Sequence, residues 1–184
     1  MMVSPTQHAA IVSLLRKSLQ RPGHVVEAGC HEGSTSGVLL DGMRSTDKQL
    51  HLYDSFDGLP DSSGCGGQMV ASQHRLRAAL LQRFEHEPSR LSRVHVHPGW
   101  FCDTMPQQLP DEICFGFVDC DLFDSVLQSV PHILERLTGT LVIHDLTHDR
   151  WGEQIHAAIN QLGLTVTEVC GMAVLNQENP NADQ

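Results

Sequence analysis

Short apolar runs that each end in a polar residue, separated by stretches of helical spacing, limit most strongly what this chain can fold into. The runs cover residues 25–29, 49–54, 93–97, 113–119 and 140–144. Between them lie segments that read as helices. Residues 6–19 place Ile11, Leu14, Leu15 and Leu19 at helical spacing before Arg21-Pro22-Gly23 breaks the pattern. Small residues at 34–37 lead into Val38, Leu39 and Leu40, and Ser72 is placed to cap a helix carrying Leu76, Ala79, Leu80 and Phe84. Residues 104–109 read as a short helical or turn segment, and 123–137 and 151–162 are amphipathic. Pro131 is expected to split the first of these, with Ser129 capping its second half. Gly139 is expected to turn the chain into the next strand. Residues 164–169 and 172–175, joined through Cys170-Gly171, read as a closing hairpin. Strands alternating with helices predict right-handed crossovers. The expected fold is α/β and Rossmann-like: a mostly parallel seven-stranded sheet, helices on both faces, and a C-terminal antiparallel hairpin.

At 184 residues the chain suits one domain. We place it at 1–176, with an N-terminal helix within 1–23, a candidate lid at 57–71 rich in Gly, Pro and Ser, and a frayed polar tail at 177–184. Twelve Lys and Arg against twenty-two Asp and Glu give a net charge of −10. That balance argues against a phosphate-tracking surface and hence against nucleic acid. No run approaches the ~20 apolar residues of a membrane span, so a cytosolic location is expected. The six cysteines form no Cys-x-x-Cys pair, which argues for structural thiols.

Sheets of this kind bind ligands at the carboxyl ends of their strands. Those ends hold Glu27 to Gly29, Asp54, His97 to Gly99, Asp119, and His144 with Asp145. The first turn, Glu27-x-Gly29-x-x-x-Gly33, lacks the second close glycine of dinucleotide folds, because His31 stands there. It suits a nucleotide ligand without pyrophosphate, such as S-adenosylmethionine, with Glu27 receiving the cationic amino group. An ordinary strand-to-helix turn would carry the same spacing. Asp54 lies about 20 residues on, where an acid accepts ribose hydroxyls. A turn acid would look alike. Trp100 and Phe101 can stack on adenine or belong to the core. Asp119, Asp121, Asp145 and Asp149, with His144 and His148, suit a divalent cation. The other reading has Asp121 and Asp124 capping a helix and His144 paired with Asp145. His74, His144 and His148 are the candidate general bases. His8, His24, His86, His95, His132 and His156 read as surface or helix-face residues.

Five blocks then occur in order: Val26-Glu27-Ala28-Gly29 with Gly33-Ser34, Tyr53-Asp54-Ser55-Phe56-Asp57-Gly58-Leu59-Pro60, Gly99-Trp100-Phe101-Cys102-Asp103-Thr104-Met105-Pro106, Asp119-Cys120-Asp121-Leu122-Phe123-Asp124-Ser125, and Val142-Ile143-His144-Asp145. Together they resemble the macrocin O-methyltransferase family over residues 24–146. The resemblance implies a class I methyltransferase that uses S-adenosylmethionine, usually with Mg²⁺, to methylate a sugar hydroxyl of a natural product. Cofactor contacts would fall on Glu27, Gly29, His31, Gly33, Ser34, Thr35, Asp54, Ser55, Gly99, Trp100 and Asp119. The metal would fall on Asp119, His144 and Asp145. At 144 the family normally has an acid. The histidine leaves three consequences open: it ligates all the same, it shifts preference toward a softer ion, or metal is lost and His144 is the base. The chain is short, so the pocket for a hydroxylated small molecule is expected to be open or completed in a homodimer. Two competing functions are metal-independent O- or N-methylation by a histidine base and a non-catalytic module that only binds the cofactor.

Overall fold

The computed structural model describes residues 3–60 and 69–177. Part of the expected lid, 61–68, and nearly all of the expected tail, 178–184, lie outside the described residues, as does Cys65. The first helix, α1 (Pro5–Ser18), opens on a capping box: the Ser4 hydroxyl accepts from the Gln7 amide, and the Gln7 side chain accepts from the Ser4 amide. Then come β1 (His24–Ala28), α2 (Ser34–Gly42), β2 (Leu50–Asp54), α3 (Gln73–Arg83), a 3₁₀ turn (Pro88–Arg93) and β3 (Val94–Pro98). The second half runs α4 (Phe101–Gln108), β4 (Ile113–Val118), α5 (Phe123–Leu134), β5 (Leu137–Ile143), α6 (Gly152–Gln161), β6 (Thr167–Val169) and β7 (Met172–Asn176).

The strands form one sheet in the order β3-β2-β1-β4-β5-β7-β6. The pairs from β3 to β5 are parallel, and β7 is antiparallel to both β5 and β6. Alternation along each strand sorts the core into two layers. Val25, Leu50, Leu52, Phe115 and Phe117 face Ile11, Leu15, Leu39, Leu40, Leu76 and Leu80 of α1 to α3. Val26, Ala28, Tyr53, Val118 and Ile143 face Met105, Val126, Val130, Ile133 and Ile155 of α4 to α6. Ile11 and Leu15 are wholly buried, which contributes about 1.5–3 kcal/mol each. No helix among the described residues is long and apolar enough to cross a membrane.

Three local expectations are corrected. Pro131 does not split α5, which runs unbroken through it. The proline sits one turn from the helix end, and Ser129 donates its hydroxyl to the Ser125 carbonyl rather than capping a second helix. Gly139 lies inside β5, not before it. A Cβ there would stand 2.1 Å from the Cys114 carbonyl oxygen, so glycine is required by the approach of β4. Gly139→Ala is therefore expected to destabilise the protein by about 3 kcal/mol, read as a fall in urea midpoint. Finally, 164–166 do not join β6, which has only three residues.

The sheet carries an unanticipated feature near its β3 edge. His24, His51, His95, His97 and Tyr53 share the face turned toward α4, because each sits one residue out of step with the valines and leucines of the other layer. His51 stacks on His95 with ring centroids 4.9 Å apart, and His97 stacks on Tyr53 at 4.5 Å. Hydrogen bonds run from Gln49 through His51 and His97 to Gln108. Burial, followed by the neighbouring imidazoles, pushes the His51 pKa down to about 3. His24 and His95 thus belong to an organised stack rather than to isolated surface positions.

Candidate functional site

The strand order reverses between β1 and β4, and a crevice at such a point is where open α/β sheets take ligands. Four turns meet at this carboxyl edge. Each contains a non-glycine residue in the left-handed region: His31 (φ 46°), Phe56 (φ 60°), Asp121 (φ 61°) and Asp145 (φ 60°). Such backbone costs about 1–3 kcal/mol per residue and gathers at functional sites.

On the β1 side, Glu27 is only 1% exposed and accepts the Ser36 hydroxyl at 2.5 Å. Burial, offset in part by that bond, pushes its carboxyl up to about 8. Gly29 has φ 84°, and a Cβ there would lie 2.0 Å from the Asp119 carbonyl oxygen. The close approach that demands glycine is thus that of the β4 turn. Asp54 ties the first two turns together, accepting the amide of His31 on Oδ2 at 2.8 Å and that of Phe56 on Oδ1 at 2.9 Å. A carboxylate offers about four acceptor positions, so this leaves capacity for a ligand hydroxyl. Gly33 caps α2 with Ser34 and Thr35 in its first turn, and Ser55 donates to the Gly58 carbonyl. Gly99 has φ 137°, and Trp100, 38% exposed, precedes α4. Phe101 packs on the core.

On the β4 and β5 side, His144 Nδ1 lies 2.9 Å from Asp119 Oδ1 and 3.0 Å from Asp145 Oδ1. Burial alone would lower the imidazole, but its bonds to the two carboxylates and their charges outweigh it and push the pKa up to about 10. Asp145, buried likewise, is held below the ordinary carboxylate value by His144. Asp145 Oδ2 is buried without a hydrogen-bond donor. Burial, then the proximity of Asp145 and the charges of Asp119 and Asp145, push the Asp121 carboxyl up to about 7. Asp121 and Asp124 do not cap α5, whose first residue, Phe123, bonds to the Gln154 side chain instead.

A cavity of about 190 Å³ beside this cluster is lined by Gln7, His144, Asp145, Thr147, His148, Asp149 and Gly171. The His148 Nδ1 accepts the amides of Arg150 and Trp151, so its neutral ring carries the proton on Nε2 and offers a donor there. His74 is exposed in the first turn of α3 and does not line the cavity. Sequence reasoning missed the first turn of α1. Gln7 walls the cavity and bonds to the Cys170 carbonyl, and His8 Nε2 lies 3.3 Å from Thr35 Oγ1. The Ser4-x-x-Gln7 box marked the helix start, but nothing local told which end of the sheet it would face.

A family model described as macrocin-O-methyltransferase (TylF) matches residues 8–162. The chain belongs to the macrocin O-methyltransferase family. It is 27% identical over 169 residues to the 8-demethyl-8-(2,3-dimethoxy-alpha-L-rhamnosyl)-tetracenomycin-C 4'-O-methyltransferase of Streptomyces olivaceus, covering 83% of this chain and 65% of that protein. It is 28% identical over 139 residues to the demethyldecarbamoylnovobiocin O-methyltransferase of Streptomyces niveus, covering 67% of this chain and 53% of that one. The chain thus spans less than two thirds of the length of either relative. The solved structure of the O-methyltransferase NovP superposes with a TM-score of 0.78 at 17% identity, over 97% of this chain and 82% of NovP. That likeness confirms the Rossmann-like methyltransferase fold.

The cluster in this family member fits a divalent cation. Asp119, His144 and Asp145 each offer a ligand atom, all within 4.8 Å of one another. The orphaned Asp145 Oδ2 supplies a further buried acceptor that a cation would satisfy.

Proposed function

We propose that this chain transfers the methyl group of S-adenosylmethionine to a hydroxyl of a small molecule, such as a natural-product sugar, with help from a divalent cation. The observation that carries this reading is the convergence of Glu27, Asp54, Asp119, His144 and Asp145 on one sheet edge, in a member of a family whose matched relatives are named O-methyltransferases.

Glu27 as a carboxylate would bind the cofactor's cationic amino group. Asp54 would accept its ribose hydroxyls while holding two turns in register. Asp119, His144 and Asp145 would hold the metal, which when bound acidifies an acceptor hydroxyl. The cavity beside them would seat that hydroxyl and exclude water. The methyl carbon passes from sulfur to oxygen in one displacement, leaving S-adenosylhomocysteine. The hydroxyl proton leaves to solvent at the cavity mouth, while His148 on the wall, its Nδ1 taken by two amides, would present an Nε2–H donor to the acceptor oxygen.

The test is to incubate the protein with S-adenosylmethionine and a panel of hydroxylated glycosides, with and without chelator, and to detect S-adenosylhomocysteine and methylated product by mass spectrometry. Product that chelation abolishes supports the reading; product that chelation leaves untouched removes the metal. Asp54→Ala is expected to weaken S-adenosylhomocysteine binding about 10–100-fold, the worth of hydrogen bonds to a charged group. Undiminished binding by calorimetry would take the ribose role away from Asp54.

A further inference from the structure

We infer that the Asp119–His144–Asp145 site selects a borderline transition ion such as Co²⁺ or Zn²⁺ over Mg²⁺; the inference rests on the metal-assisted reading above. Mg²⁺ takes oxygen ligands in a near-ideal octahedron and keeps several waters. An imidazole nitrogen suits the later first-row ions, whose affinity rises from Mn²⁺ toward Cu²⁺. Here the nitrogen cannot be set aside. His144 is 3% exposed at the end of β5, its amide is bonded to the Val118 carbonyl, and its ring lies 6.2 Å from that of Phe117. Nδ1 stands 2.9 and 3.0 Å from the carboxylate oxygens. Ligands bound at about 2.0–2.2 Å on one ion are separated by about 3 Å at right angles and about 3.4 Å in a tetrahedron. Each His144–carboxylate distance is thus near that of neighbouring ligands, and the three ligand atoms lie within 4.8 Å of one another. The cavity that His144 and Asp145 line would leave room beside a bound ion for water or an acceptor hydroxyl.

Oxygen-only sites also favour transition ions to a degree, so the deciding quantities are a nitrogen signature and the change in selectivity when the nitrogen is removed. The protein is stripped with chelator, and Mn²⁺, Co²⁺ and Mg²⁺ are titrated by calorimetry, with S-adenosylhomocysteine binding measured on the same preparation. The expected result is Co²⁺ binding at least about 100-fold tighter than Mg²⁺, with that ratio falling at least about 10-fold in His144→Asp. The Mn²⁺-loaded protein should show ¹⁴N hyperfine coupling by pulsed electron paramagnetic resonance. This last measurement uses the unaltered chain and so stands even if the variant does not fold. Mg²⁺ binding as tightly as Co²⁺, or Mn²⁺ bound without nitrogen coupling, overturns the inference. Failure of every ion to bind while S-adenosylhomocysteine still binds overturns both the inference and the metal in the reaction, but leaves the cofactor reading standing. Loss of cofactor binding with nitrogen-coupled Mn²⁺ retained would instead sink the methyltransferase reading and keep the site.

Discussion

Asp145→Asn is expected to lower kcat/KM for methyl transfer by about 10²–10³-fold, because the substitution removes a buried charge that orients His144 and misplaces the groups around the acceptor. Asp145 Oδ1 holds the His144 Nδ1 at 3.0 Å, and its Oδ2 is the unpartnered acceptor beside the cavity. Asparagine keeps the volume and one oxygen but loses the charge. Cofactor binding should change little, since Asp145 lies in the turn after β5, which β4 separates from β1 and β2. Steady-state release of S-adenosylhomocysteine gives the first quantity and calorimetry the second. An unchanged kcat/KM would move the chemistry off this cluster.

The second large effect separates stability from binding at Glu27. Its folded pKa of about 8 lies above the ordinary 4.5, so between those values the folded chain keeps a proton that the unfolded chain has released. The associated stability is complete below about pH 4.5 and is lost as pH rises to about 8, at about 1.4 kcal/mol per pH unit. Glu27→Gln, which can still bond to Ser36, should flatten that part of the dependence and leave the unliganded variant a few kcal/mol more stable than the parent at pH 8. Urea unfolding at pH 6 and pH 8 reads the difference, and the contribution of His144 is common to both proteins. The same change should weaken S-adenosylhomocysteine about 10–100-fold, by removing the carboxylate partner of its amino group. In the parent, affinity should tighten as pH rises toward 8. A variant that binds as well as the parent would show that Glu27 is a buried structural acid and no more.

What the sequence made legible follows the strength of local signals. The strand ends were readable because an apolar run that stops at an acid or histidine is a pattern of period two meeting a turn, and Asp54, Asp119, His144 and Asp145 stand where that pattern ends. Ser72 was legible as a cap and accepts the amide of His74. Gly139 was not, because what requires glycine there is the carbonyl of a strand more than twenty residues away, and a glycine between a helix and a strand resembles a turn. Pro131 misled because the burial of Val126, Val130 and Ile133 on one face of α5 outweighs the single amide bond the proline removes. The histidine stack was invisible for a related reason. His51, His95 and His97 sit on two strands, and only the register of β2 with β3 brings their rings together. His8 and Gln7 were missed because the partners of α1, Thr35 and Cys170, come from distant parts of the chain.

The left-handed turns at the carboxyl edge have a consequence for how this protein can be improved. His31, Phe56, Asp121 and Asp145 each hold a backbone conformation that glycine adopts freely. Glycine at any of them would relieve strain and at His31 and Phe56 would keep the backbone amides that Asp54 grips, yet at Asp121 and Asp145 it would delete the carboxyls of the candidate site. Thermostabilisation that begins at Asp121 or Asp145 would therefore erode activity first. Tolerance to change should instead be sought on the exposed faces of α3 and α6, where neither the strained turns nor the cavity wall would be disturbed.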